Sequence, residues 1–257
     1  MREQLRVALV QTDLLWENPV ENRRRFSERF KNFSQEVDLV ILPEMFTTGF
    51  TMEPTKLESE EVEITLDWMK EQARKLDAAI VGSLVYKEGE EFFNRLFFVL
   101  PDQSFYTYDK KHTFTFAGEN AKYSSGNNRL VVLYKGFRIC PFICYDLRFP
   151  VWSRYKGDYD VLLYVANWPA PRIEAWDTLL KARAIENMSY TIGLNRVGED
   201  PNGHSYIGHS AIYDPLGEQI VFSDREETIF STLDLNSLKQ IRDKFRFLDD
   251  RDEFNYC

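Results

Sequence analysis

The chain has 257 residues, 44% of them hydrophobic and 15% aromatic, enough apolar material for a large core and too much for a disordered chain. A formal charge of −9 and a pI of about 5.0 argue against nucleic acid as a partner, because a polyanion would be repelled. Three cysteines, Cys140, Cys144 and Cys257, are too few and odd in number for a disulfide framework, so reduced thiols are expected.

Along the chain, "MREQLRVALVQTDLL" alternates like a strand and lacks the apolar stretch and small-residue cleavage site of a secretory leader. No later segment approaches a membrane span, so the expectation is a soluble cytoplasmic protein with no membrane partner. Strand-like runs follow at 6–11, 37–43, 78–85, 92–100, 129–134, 137–144, 160–167, 190–195, 209–214 and 228–235. Several are apolar throughout, as in strands buried on both faces. Helical patterns occupy 18–33, 63–76 and 172–188; in the second, Ile64, Trp68, Ala73 and Leu76 approximate one apolar stripe. Hairpin-like pairs at 129–144 and 209–222 interrupt the βα alternation, which predicts a layered α/β fold with mixed sheets. No linker divides the chain, so a single domain over 1–257 is expected.

Three segments carry unusual chemistry. In "VILPEMFTTGF", Glu44 follows an apolar strand, where α/β folds place ligand groups, although an isolated acid there is more often a cap. In "YTYDKKHTFTFAGEN", strand periodicity puts Tyr108, Lys110 and His112 on one face and Lys111 on the other; taken alone, paired lysines suit a solvated strand edge. In "ICPFICYDLRFP", Cys144 ends a strand and enters a sharp turn, where backbone N–H groups would lower a thiol pKa. A small buried hydrophobe is the alternative reading, and it suits Cys140 well. A Cys-x-x-x-Cys metal site finds no second cysteine pair or suitably spaced histidine pair to support it.

A carboxylate, a lysine and a cysteine at successive strand ends form a set. With "LPE" at 42–44, "YDKKH" at 108–112 and "CYDLRF" at 144–149, the chain resembles the nitrilase (carbon–nitrogen hydrolase) superfamily. The likeness continues through "NWP" (167–169), "ARAIEN" (182–187), "NRVG" (195–198) and "YDPLGE" (213–218). "LPEMFTTGFTM" with "ANWPAPR" looks like the bacterial omega-amidase branch, which hydrolyses 2-oxoglutaramate and related omega-amides. Thr113 stands after His112 where that family commonly has Leu.

The resemblance implies an α-β-β-α sandwich with two mixed sheets, dimerising through helices near 151–156 and 172–188. It implies Cys144 as nucleophile and Glu44 as general base. Lys110 and the Tyr145 backbone N–H would then be oxyanion donors, with Glu119, seven residues before Gly126, positioning Lys110. Without the resemblance, Glu119 reads as a solvated loop acid. A small amide carrying a carboxylate needs an arginine fork, for which Arg172 is the candidate and Arg148 the runner-up, unless Arg148 pairs with Asp146. Phe46, Phe50, Phe116 and Trp168 are candidate pocket walls. No metal or organic cofactor is called for. Three rivals remain: another member of the same superfamily acting on an aliphatic amide, carbamoyl or nitrile substrate, a Cys-His hydrolase using His112, His204 or His209, and a catalytically silent scaffold.

Overall fold

The computed structural model describes residues 3–58 and 60–255; Cys257 lies outside them. The first half of the chain contributes β1 (Gln4–Gln11), β2 (Leu39–Ile41), β3 (Ala79–Glu88), β4 (Glu91–Val99) and β5 (Phe105–Asp109). The second half contributes β6 (Val132–Tyr134), β7 (Phe137–Ile143), β8 (Val161–Ala166), β9 (Tyr190–Asn195), a small ribbon of β10 (Val197–Glu199) and β11 (Ser205–Ile207), then β12 (Ser210–Tyr213) and β13 (Gln219–Ser223). The last strand, β14 (Glu227–Asp234), returns to the first sheet. The helices are α1 (Pro19–Lys31), α2 (Glu61–Leu76), α3 (Pro150–Ser153), α4 (Ile173–Asn187) and α5 (Leu235–Phe245).

The strands form two six-stranded sheets, ordered β14-β1-β2-β3-β4-β5 and β6-β7-β8-β9-β12-β13. In both, the pairings read antiparallel, parallel, parallel, antiparallel, antiparallel. The two halves therefore share one hydrogen-bonding plan, although no repeat is legible in the sequence. β2 and β8 hold equivalent places at the centre of a parallel triplet.

Period-two alternation explains the layering. Leu5, Val7 and Leu9 of β1 join the core between the sheets, while Ala8 and Val10 join the core under the helices. β4 divides the same way, Leu96 and Phe98 facing inward and Phe97 and Val99 outward. α1 and α2 cover the first sheet with Phe26, Phe30, Met69 and Ala73, and α4 covers the second with Trp176, Leu180 and Ala184. This is the expected four-layer α-β-β-α sandwich. α1 starts where Asn18 accepts the Glu21 N–H and Pro19 presets the first turn.

One expectation fails locally. The buried face of α2 is Thr65, Met69, Gln72 and Ala73, and Ile64 is half exposed on the solvent side, because the true stripe is rotated by about one residue. α5 follows β14 in a segment to which the sequence pattern assigns no element. Leu235 and Leu238 anchor it in the core, and the Arg242 guanidinium donates to Met188 O, Tyr159 O and Asp160. Beyond it the tail packs back, with Lys156 Nζ donating to Phe254 O.

α4 lies close on β9 because Gly193 leaves room for it: a Cβ there would stand 2.3 Å from Leu180 Cδ1 and 2.8 Å from Trp176 Cζ2. Gly193→Ala is expected to destabilise the fold by about 1–3 kcal/mol through overpacking, read as a lower urea midpoint with an unchanged slope.

Candidate active site

Glu44 follows β2 through Leu42 and Pro43, Lys110 directly follows β5, and Cys144 directly follows β7. Glu119 opens a single 3₁₀ turn, Glu119–Ala121, in the loop after Lys110. The packed sheets bring these strand ends together. Lys110 Nζ donates to Glu44 Oε1 at 2.9 Å and to Glu119 Oε1 and Oε2 at 3.0 and 2.9 Å, with all three side chains buried. Burial opposes the ammonium charge, but Glu119 and Glu44 outweigh it and hold the Lys110 pKa above its ordinary value. Burial raises the Glu119 carboxyl pKa, with Lys110 opposing and Glu44 adding to the rise.

Two asparagines complete the frame. Asn94, inside β4, donates from Nδ2 to Glu44 Oε1 at 2.8 Å and to Glu119 Oε1 at 3.3 Å, and its carbonyl accepts the Lys110 N–H. Asn167, directly after β8, donates its backbone N–H to Glu44 Oε2 at 2.8 Å and its Nδ2 to Glu44 O at 2.6 Å. Glu44 and Asn167 thus stand at equivalent ends of β2 and β8 and clasp each other across the two sheets. The Gly126 N–H donates to Lys110 O, and a Cβ at 126 would lie 2.2 Å from Asp109 O, so only glycine fits beside the lysine.

Cys144 has left-handed backbone, φ +44°, and begins the 3₁₀ helix Cys144–Arg148. A non-glycine residue held there costs roughly 1–3 kcal/mol, which the surrounding contacts must offset. The expectation of a lowered thiol pKa is overturned. Burial pushes the thiol well above its ordinary value, Glu44 and Glu119 add to the rise, and Lys110 opposes it. The resting sulfur is a neutral thiol beside a carboxylate, an arrangement in which a base removes the proton when attack occurs.

Lys110 and Cys144 open into a cleft of about 560 Å³ that Tyr145, Arg148, Trp168, Arg172 and Phe116 also line. Arg148 stacks its guanidinium 5.0 Å from the Trp168 ring, and Arg172 lies 5.1 and 5.9 Å from the Phe114 and Phe116 rings. Among the described residues neither arginine forms an ion pair with a carboxylate. Phe116, 86% exposed, forms the rim, and Phe50 covers Lys110 at 5.1 Å. Phe46 is no pocket wall: it is buried under the helices against Phe26 and Trp68. Its side chain points away from that of Glu44 two residues earlier.

Asp146 does not pair with Arg148, since its carboxylate is taken by Tyr108, His112 and the Ile143 N–H. Each histidine stands against a carboxylate, His112 with Asp146, His204 with Asp200 and His209 with Asp177. Among the described residues no histidine hydrogen-bonds the Cys144 thiol, and the group that does is Glu44, which favours the carboxylate over a histidine as its base.

Sequence reasoning missed Asn94 and undervalued Asn167. The signal for Asn94 was a lone amide inside the apolar run "FFNRLFFVL"; for Asn167 it was a polar residue directly after an apolar strand, the position that singled out Glu44 and Cys144.

The family model for carbon-nitrogen hydrolase matches residues 6–243. The omega-amidase YafV of Yersinia enterocolitica is 44% identical over 252 residues, covering 97% of this chain and 98% of that protein. The 2-oxoglutaramate amidase of Bacillus subtilis is 32% identical over 251 residues, covering 95% and 96%. The crystal structure of XC1258 from Xanthomonas campestris, a CN-hydrolase superfamily protein with an arsenic adduct in its active site, superposes with a TM-score of 0.95 at 40% identity, covering 99% of both chains. With a likeness that runs through nearly the whole length and the same fold beneath it, this chain belongs to the carbon–nitrogen hydrolase (nitrilase) family.

Proposed function

We propose that this protein is an omega-amidase: it hydrolyses the terminal carboxamide of small omega-amide acids, of the 2-oxoglutaramate and succinamate type, to the dicarboxylic acid and ammonia. The observation that carries the reading is a half-buried thiol and a buried ammonium, the latter bonded to the buried Glu44, opening into one cleft with two arginines that have no carboxylate partner among the described residues. The full-length likeness to named omega-amidases supports it.

In this reading Cys144 Sγ attacks the amide carbon as Glu44 takes its proton. Glu44 is held for that task from three directions, by Lys110, Asn94 and Asn167, so its carboxylate does not have to reorient as the thiol loses its proton. The tetrahedral oxyanion is met by Lys110 Nζ and the Tyr145 N–H, a first-turn amide of the 3₁₀ helix that begins at Cys144; each such donor is worth roughly 3 to 4 kcal/mol. Glu44 returns the proton to the departing ammonia, leaving a thioester. Water, activated by Glu44, then releases the acid and restores the thiol. Glu119 holds Lys110 in place and balances charge where an unpaired ion would be costly.

Arg172 is the proposed partner of the substrate carboxylate, with Arg148 second; Trp168 and Phe116 wall the space between. We read residues 1–257 as one catalytic domain working in the cytoplasm, and propose a homodimer formed through α3 and α4. Among the described residues no helix is long and apolar enough to cross a membrane.

Ammonia release from 2-oxoglutaramate and succinamate is expected to be fast in the wild type and absent in Cys144→Ala, and slow turnover of both acids beside fast turnover of a neutral aliphatic amide or a nitrile would overturn the substrate assignment. Arg172→Ala should raise KM for succinamate by about tenfold or more while moving KM for a neutral amide little, the difference expected of a charge-assisted bond; equal effects reject its role. Light scattering on the eluting protein should give twice the chain mass of 30.4 kDa, and a monomer would reject the dimer.

A further inference from the structure

Asp146 lies outside the nucleophile, base and oxyanion roles above, yet it is fully buried two residues after Cys144. Its carboxylate accepts four hydrogen bonds. Oδ1 accepts from the His112 backbone N–H at 2.9 Å and lies 2.8 Å from His112 Nδ1. Oδ2 accepts from the Tyr108 hydroxyl at 2.7 Å and from the Ile143 N–H at 3.1 Å.

The placement of those partners is what matters. Tyr108 and His112 stand two residues before and two after Lys110, so the carboxylate grips both sides of the segment that presents the ammonium. Ile143 and Asp146 itself bracket Cys144, so the same carboxylate closes the left-handed turn that presents the thiol. The grip is reinforced from outside: Tyr108 Oη accepts from Trp152 Nε1 at 3.1 Å and from the Lys111 N–H at 3.3 Å, and the His112 ring stacks on Phe149 with centroids 3.8 Å apart. Lys110 and Cys144 come from different sheets, and this carboxylate ties the two segments directly. Ordinary surface pairing would not need a carboxylate with all four acceptor directions filled by groups flanking the two reacting side chains.

We infer that Asp146 is a positioning residue, a clamp that fixes the Cys144 sulfur relative to the Lys110 ammonium and so sets the rate of acylation. The inference rests on the amidase reading only for the name of the reaction that suffers; the clamp acts on any acyl donor that reaches Cys144. Because misplacement of the reacting groups by about 1 Å costs on the order of 100-fold, the loss falls on kcat, and substrate affinity, set elsewhere in the cleft, is spared.

The test compares wild type, Asp146→Asn, Tyr108→Phe and the double variant. Two readouts are used: the p-nitrophenol burst from p-nitrophenyl acetate, and kcat and KM for succinamate. Both are expressed per Cys144 alkylated by iodoacetamide, located by mass spectrometry, beside a thermal melt. Asp146→Asn should slow acylation per thiol by about 100-fold with KM changed by no more than about twofold, and Tyr108→Phe by about tenfold. The double variant should be no slower than Asp146→Asn, because both substitutions release one clamp. A purely structural role would lower the melting temperature and the folded fraction while leaving the rate per thiol unchanged. Rates per thiol within about twofold of wild type in both single variants would overturn the inference. If Asp146→Asn does not fold, Tyr108→Phe, which removes one hydroxyl, carries the same decision. If the wild type acylates from the ester but releases no ammonia from amides, the omega-amidase reading falls while the burst still decides the clamp.

Discussion

The Lys110 ammonium held between two buried glutamates is the constraint around which the rest of this molecule is built. Taking three charges out of water is expensive, and removing one partner from such a group typically costs about 3–5 kcal/mol because the others are left uncompensated. The fold meets that demand with neutral donors. Asn94 reaches both glutamates from within a strand, and Asn167 holds Glu44 by backbone and side chain. Among the described residues the Asn94 and Asn167 side-chain oxygens have no protein partner, because both amides turn their N–H groups toward the glutamates.

That group can exist only where two sheets meet. Each sheet alone offers strand ends that face water; packed together, they offer a dry seam. The shared hydrogen-bonding plan places the end of β2 opposite the end of β8, and the Glu44–Asn167 clasp is the point where the two halves close on each other. Strands apolar on both faces are therefore tied to the chemistry, since they force a sheet-on-sheet core and that core removes water from the lysine.

How much of this the sequence reveals follows from distance along the chain. Local pattern shows ten of the strands and three helices, because alternation and capping are short-range, and a polar residue ending an apolar run makes Glu44 and Cys144 conspicuous. Lys110 needs the resemblance to be separated from Lys111, which alternation alone leaves as an edge lysine. The Asp146 contacts are invisible because Tyr108 and His112 lie 38 and 34 residues away. The thiol's environment is misread for the same reason: the turn after β7 suggests a thiolate site, but burial and the glutamates arriving from the other sheet reverse the sign. Ile64 and Phe46 show a further limit. Both are apolar in apolar surroundings, and which face they take depends on a rotation or a turn that composition does not encode.

The suppressed ionisation of Cys144 has a consequence outside amide chemistry. Peroxides and disulfides react with thiolates far faster than with thiols. A nucleophile held as a thiol at rest therefore reacts more slowly with oxidants and disulfides than a freely ionised cysteine facing the same cleft. The glutamate that readies the sulfur for one carbonyl also shields it, between turnovers, from the redox traffic to which a freely ionised cysteine in the same position would be exposed.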